Sequence, residues 1–320
     1  MADYNSAIKE HYHSMKWYQK ISFNLLWGVC RMLNYSPRWF RFYVLRPLFT
    51  AILYVVGYRR KVIIRNLERS FPEKSKAEIR KIMRRFYVTL AEIIVNTVCL
   101  AGATQKRDGD VITWEDAPGH IAKNRGRDWI AMASHYGCWE YFPLWSWADE
   151  ECEFMSVYHP LRSVVFEHFY RRLRKFAPNA HNVTMAETVR YYIKNRASGR
   201  TTVLGLISDQ SPNLRADTVW FNFLNQTTAF IDGSEKIAMR FGIPVYFCDI
   251  ERRAAGRYHV RFIQIYDGVE QVEPNEITHR YAEHLERMIR RAPELWMWSH
   301  NRWKHTPEKQ AKKFGKSTLQ

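Results

Sequence analysis

The chain has 320 residues, of which 46% are hydrophobic and 15% aromatic, a content that excludes a disordered polypeptide and suffices for a buried core. Its formal charge is +17, from 49 Lys and Arg against 32 Asp and Glu, so an anionic partner is expected: nucleic acid, an anionic membrane surface or a phosphorylated substrate. The cysteines, Cys30, Cys99, Cys138, Cys152 and Cys248, are odd in number and show no zinc spacing, which fits reduced thiols in a cytoplasmic compartment.

Residues 1–20 are polar and lack the apolar core and cleavage site of a signal peptide. Two apolar stretches follow, Ile21–Cys30 and Pro47–Tyr58, with Arg31, Arg38, Arg41 and Arg46 between them. Neither reaches the roughly 20 apolar residues that a spanning helix needs. Trp17, Trp27, Trp39, Tyr35 and Tyr43 mix with these arginines. That mixture suits a segment lying in the membrane interface or, alternatively, a pair of core helices. Residues 1–58 are expected to form a helical membrane-associating segment.

Residues 60–74 are basic and end in Phe71-Pro72. Ser75-Lys-Ala-Glu78 has capping-box spacing, and the stripe Ile79, Ile82, Met83, Phe86, Leu90, Ile93, Ile94 and Val98 predicts a helix running from there towards Gly102. From about residue 110, short apolar runs alternate with amphipathic stretches. Strands are expected at Trp129–Ala133, Glu153–Tyr158, Thr201–Ser208, Pro244–Glu251 and Tyr258–Ile265. Helices are expected at Cys138–Ala148, Val164–Lys175, Gly233–Phe241 and Ile277–Arg291, with another opened by the capping box Thr184-Met-Ala-Glu187 and ending near Arg196. Such alternation predicts an α/β domain over residues 59–306, a central mostly parallel sheet flanked by helices. Residues 307–320 read as a mobile basic tail.

His135-Tyr-Gly-Cys-Trp-Glu140 directly follows the apolar run Trp129–Ala133. A histidine beside a carboxylate is a plausible general base for activating a hydroxyl, and sites in open α/β sheets gather past the carboxyl ends of strands. The spacing alone is weak: among 12 His and 32 acidic residues, about one such pair is expected by chance. On an ideal helix a five-residue step leaves the two side chains about 140° apart. The pair therefore meets only if His135 lies on the turn leaving the strand, with Gly137 supplying permissive backbone. Cys138 reads either as a nucleophile or as a small apolar filler.

Arg171-Arg-Leu-Arg-Lys175 suits a phosphate clamp or a solvated helix face. Asp209, in Ser208-Asp-Gln-Ser-Pro212, is a functional strand-end acid or a turn cap. Trp296-Met-Trp-Ser-His-Asn-Arg-Trp-Lys304 interleaves aromatic and basic residues, either to stack nucleic-acid bases or to form a core strand with an anion-binding end. No GxxxxGK, GxGxxG or GxSxG motif and no RNA-binding or helix-turn-helix signature accompanies them.

Read in order over residues 58–306, these segments resemble the lipid A late acyltransferases, the lauroyl/myristoyl transferase family of the lysophospholipid acyltransferase superfamily. The resemblance rests on Tyr58-Arg-Arg-Lys-Val-Ile-Ile-Arg-Asn-Leu-Glu-Arg-Ser-Phe-Pro72, the His135–Glu140 box, Val157-Tyr-His-Pro-Leu161, Arg172, Asp209-Gln210, Phe221–Pro244 and Trp298–Lys304. His159 and Asn301 stand where the family commonly has arginine, and Asn222-Phe-Leu-Asn225 replaces a glycine-containing version. The resemblance implies O-acyl transfer from an acyl-carrier-protein or coenzyme A thioester to a hydroxyl of a phosphorylated glycolipid, a lipid A precursor. His135 is then the base, Glu140 holds the imidazole, and Arg172, Asp209, Arg302 and Lys304 bind substrate. It implies no metal or cofactor, attachment at the cytoplasmic face of a bacterial inner membrane, and acyl carrier protein and anionic lipid as partners rather than nucleic acid. A lysophospholipid or amino-acid lipid is the alternative acceptor, and a nucleic-acid-binding protein the distant alternative.

Overall fold

The computed structural model describes residues 4–315, with side chains from residue 7 onward; residues 316–320 of the expected tail lie outside the described residues. Nine strands are present among them: β1 (Ile112–Trp114), β2 (Trp129–Ala133), β3 (Glu153–Tyr158), β4 (Ala180–Thr184), β5 (Thr202–Ile207), β6 (Val219–Phe223), β7 (Gln226–Phe230), β8 (Val245–Ala254) and β9 (Arg257–Tyr266). Seven form one sheet in the order β1-β9-β8-β2-β5-β3-β4. Strands β8, β2, β5, β3 and β4 are mutually parallel, and the β8–β9 hairpin turns β9 and its parallel neighbour β1 the other way. The expected mostly parallel α/β sheet is therefore present. All five residues of β2 are buried, as an inner parallel strand covered on both faces requires.

Four strands, β1, β4, β6 and β7, are not among those expected from sequence. Strand β4 is the sheet's edge and alternates polar residues into its sequence, Ala-His-Asn-Val-Thr. Strands β6 and β7 form a separate hairpin across Leu224-Asn225, both at positive φ (50° and 58°). Two-residue hairpins need this left-handed backbone and usually carry Asn-Gly there; Leu224 disguised the turn. Its side chain is buried and its N–H donates to Glu286 Oε2 at 2.7 Å. Strand β1 was missed as well, being three residues long.

The Ser75/Glu78 capping box forms as expected and starts the Lys76–Cys99 helix. The second expected box does not cap a helix: Thr184 ends β4, and the helix spans Thr188–Arg196. Pro143 breaks the helix expected over 138–148 into a 3-10 turn, Trp139–Leu144, and a short α-turn, Trp145–Ala148. In place of a mobile segment, Pro307–Phe314 is a helix capped by Thr306. Its Gln310 is fully buried, accepting from Trp220 Nε1 at 2.6 Å and donating to the carbonyls of Arg215 and Ala216.

Upstream lie the helices Tyr4–Ser14, Trp17–Asn34 and Arg60–Ser70 and one continuous helical run, Arg38–Val56. By length and composition that run is apolar enough to cross a membrane, with 6% of its apolar window buried. The arginines that interrupt it in sequence are drawn aside by polar partners. Arg38 reaches Asp110, Arg41 the Ser36 carbonyl, and Arg46 Glu92 at 3.2 Å. The run loosens to π-helix over Arg41–Leu45 just before Pro47, whose missing N–H breaks the regular ladder. Glu92 is fully buried and gathers Arg252, Arg46, the Gly256 N–H and Tyr258 Oη. Burial pushes its pKa up, but these donors outweigh burial and hold the carboxyl below its usual range. The Arg38–Val56 run and the Lys76–Cys99 helix, which carries Glu92, are thereby fixed to the β8–β9 hairpin. Trp17, Ile21, Leu25, Val29 and Met32 form an exposed apolar stripe along their helix, at helical spacing.

Candidate active site

Strands β2 and β5 run side by side in a register that pairs Trp129 with Val203 and Ala133 with Ile207. Carried two residues past the strand ends, the same register sets His135 opposite Asp209. The pairing is realised twice. Asp209 Oδ2 accepts the His135 backbone N–H at 2.9 Å, and Oδ1 lies 2.7 Å from the imidazole Nδ1. A third donor, Trp296 Nε1, reaches Oδ2 at 2.8 Å. Burial pushes the Asp209 carboxyl up, but His135 and Trp296 outweigh it and keep it below the normal carboxylate range. An ionised Asp209 only accepts, so Nδ1 carries the imidazole proton and Nε2 keeps its lone pair. Gln210 Nε2 stands 3.1 Å from that lone pair.

His135 sits on the turn leaving β2, as expected, and the helix begins only at Trp139. Gly137 has φ of 60°, and a Cβ there would meet Tyr258 Cε1 at 2.5 Å. The expected contact between His135 and Glu140 is nevertheless replaced by another arrangement. Glu140 is buried and takes a two-pronged ion pair from Arg174, Nε to Oε2 and Nη2 to Oε1, both 2.7 Å. It also accepts from Trp139 Nε1 at 3.1 Å, and the Trp139 ring packs edgewise on the imidazole, centroids 4.9 Å apart. Glu140 thus supports the histidine through a tryptophan, while Asp209 holds it directly. Burial alone would push the Arg174 guanidinium down; Glu140 more than compensates and keeps it charged.

His135, Trp139, Glu140, Tyr158, Arg174 and Gln210 line one end of a cleft of about 920 Å³. Its remaining walls are largely apolar, including Phe154, Met185, Val189, Leu206, Ile207 and Ile237. Cys138 is buried, and burial drives its thiol well above the ordinary range, which makes it a filler rather than a nucleophile. Among the described residues, no group of three or more His, Cys, Asp or Glu side chains is arranged to hold a metal ion.

The basic cluster separates into distinct contacts. Arg171 pairs with Glu167 one helical turn back, and Lys175 donates to the Pro178 and Ala180 carbonyls. Arg172 lies over the Trp27 ring at 4.5 Å and faces a second cleft, about 730 Å³, beneath the first two helices. It does not reach the His135 cleft; Arg174 does. The helix ends at Leu173, so Arg174 leaves the helical track and turns towards Glu140. Arg302 is buried against the Phe230 ring at 4.7 Å, none of its guanidinium nitrogens has a hydrogen-bond partner among the described residues, and burial brings it down to about 10. Phe230 lines the cleft and Arg302 does not; Lys304 is exposed and also outside the lining.

The closing Trp-rich segment frames the site. Met297 N–H donates to the His135 carbonyl at 3.1 Å and Gly137 N–H to the Leu295 carbonyl at 2.9 Å, which brings Trp296 over Asp209. His300 Nε2 accepts the Ser211 N–H at 3.1 Å. Asn66 secures this segment by donating to the Trp298 and His300 carbonyls, and Arg59 donates to Ser299 O. The motif near residue 60 and the one near residue 300 are thus two halves of one clamp. Trp139, Arg174, Gln210, Trp296 and Asn66 were not singled out as site residues from sequence, although each lies in a segment that was.

A buried acid thus holds a histidine at a strand end of the α/β sheet, beside a largely apolar cleft. The chain matches the bacterial lipid A biosynthesis acyltransferase family over residues 9–305 and belongs to that family. No curated protein matches it in sequence.

Proposed function

We propose that this acyltransferase moves a fatty acyl chain from a carrier thioester to a hydroxyl of a phosphorylated glycolipid, with His135 as general base. The observation that carries the proposal is the orientation of the imidazole: Nδ1 is held by Asp209, and Nε2 is directed at Gln210 and the cleft. In this reading Nε2 takes the hydroxyl proton as the oxygen attacks the thioester carbonyl. The carbon–sulfur bond then breaks, and the imidazolium returns the proton to the departing thiolate. Asp209 keeps the productive tautomer and offsets the imidazolium charge. Glu140 acts through Trp139 and Arg174. The apolar walls around Phe154, Leu206 and Ile237 hold the acyl chain.

The same proposal sets the protein on the cytoplasmic face of a bacterial inner membrane. The exposed stripe on the Trp17–Asn34 helix and the little-buried Arg38–Val56 run suit insertion into the interface. The net charge of +17 suits anionic lipid and an acidic acyl carrier protein. Lipid mass spectrometry of a strain lacking the protein tests the acceptor. The expected result is a glycolipid one acyl chain short; a deficit in a phospholipid or amino-acid lipid instead would replace the acceptor and keep the chemistry.

A further inference from the structure

We propose that Gln210 is a further catalytic residue: its side-chain amide shares the lone pair of His135 Nε2 with the acceptor hydroxyl, and when the hydroxyl takes that lone pair the amide donates to the oxyanion of the tetrahedral intermediate. The inference rests on the acyl-transfer reading above.

The hydrogen-bond pattern around Asp209 leaves little freedom in assigning donors. Three N–H groups converge on its two oxygens, and one of them is the His135 Nδ1–H. Nε2 is then an acceptor, so the group 3.1 Å away must be the NH2 of Gln210. A hydroxyl to be deprotonated has to come within about 2.6–3.2 Å of the same atom. Amide and alcohol therefore compete for one position, and the amide must yield.

It is built to yield without travelling far. Both neighbours are pinned, Asp209 through its carboxylate, which accepts the His135 N–H, and Ser211 through its own N–H to His300. The side chain itself makes one hydrogen bond among the described residues, the one to His135. The guanidinium and indole donors lining the cleft are committed: Arg174 to Glu140, Arg215 to Asp232, and Trp139 to Glu140. Gln210 is the donor that touches the base. As Nε2 takes the hydroxyl proton and the new carbon–oxygen bond forms, the carbonyl electrons move onto its oxygen, and the displaced amide N–H meets that charge. Collapse re-forms the carbonyl, breaks the carbon–sulfur bond and passes the proton from the imidazolium to the thiolate.

The test compares Q210A, Q210E and H135A in the full chain, with an acyl carrier thioester and a phosphorylated glycolipid in detergent. Q210A should lower kcat about 10²–10³-fold, the usual cost of an oxyanion donor, with an acceptor KM unchanged or lower. Q210E sets a carboxylate against Nε2, so the His135 pKa read by NMR should rise by about one unit or more and the acid limb of kcat/KM should move to higher pH. The NMR readout is independent of turnover. Q210A with kcat within about threefold of wild type, or with the whole loss in KM, overturns the role of Gln210. An unmoved His135 titration in Q210E overturns it as well. Near-normal turnover in H135A instead removes the base reading itself, so the two failures are distinguishable.

Discussion

Asp209 accepts both N–H groups of His135, backbone to Oδ2 and imidazole to Oδ1, because the β2–β5 register sets the two residues opposite each other. The acid therefore fixes the position of the histidine backbone and the direction of its ring with one side chain. D209N should leave a folded protein and lower kcat about 10⁴-fold, since an amide no longer enforces the tautomer. It should also cost about 1–3 kcal/mol, because Trp296 and His135 lose a charged acceptor. Steady-state kinetics and denaturant melts measure the two effects; a D209N enzyme within tenfold of wild type would refute the assignment.

Glu140 and Arg174 behave as a buried ion pair. E140Q strands a guanidinium whose side chain is 18% exposed and should cost about 3 kcal/mol. Adding R174M removes the stranded charge, so the double variant should recover most of that loss in a double-mutant cycle. A double variant less stable than E140Q alone would contradict the pairing. Activity should stay low in both, because a neutral amide oxygen holds the Trp139 N–H less firmly than the carboxylate does.

The fold was legible wherever a strand was a continuous apolar run, as in Trp129–Ala133, or where a helix announced its cap, as at Ser75. The turn at Gly137 was legible too, because a strand-to-helix reversal needs a residue free of Cβ. What stayed hidden depends on pairing at long range. His135 and Asp209 are 74 positions apart, and no local pattern states that β5 inserts between β2 and β3. The partner that local spacing offers His135 is therefore the nearer acid, Glu140. Arg172 and Arg174 were indistinguishable for a local reason: the helix ends between them, and that end decides which one enters the cleft.

Gly137 has no room for a side chain. G137A would force Ala to positive φ and press its methyl on Tyr258, costing at least about 1–2 kcal/mol. Activity should fall with it, since the Gly137 N–H to Leu295 carbonyl bond helps to seat Trp296. A G137A protein with wild-type melting and turnover would refute this account of the turn.

His300 is lowered to about 4, chiefly by burial and then by Arg302. Its folded value lies below the unfolded value of about 6.5. The unfolded chain thus binds the proton first, and stability is lost as pH falls from about 6.5 towards about 4. H300Q, which retains an acceptor for the Ser211 N–H, should flatten the fall in stability across that window in urea titrations. An unchanged slope would show that His300 does not titrate as described.

The central claim is that His135 removes the acceptor's proton, and turnover of purified H135A tests it most directly. With wild-type and H135A proteins of matched melting temperature, transfer from an acyl carrier thioester to a phosphorylated glycolipid should fall about 10³-fold or more. Near-normal turnover by a folded H135A protein would contradict it.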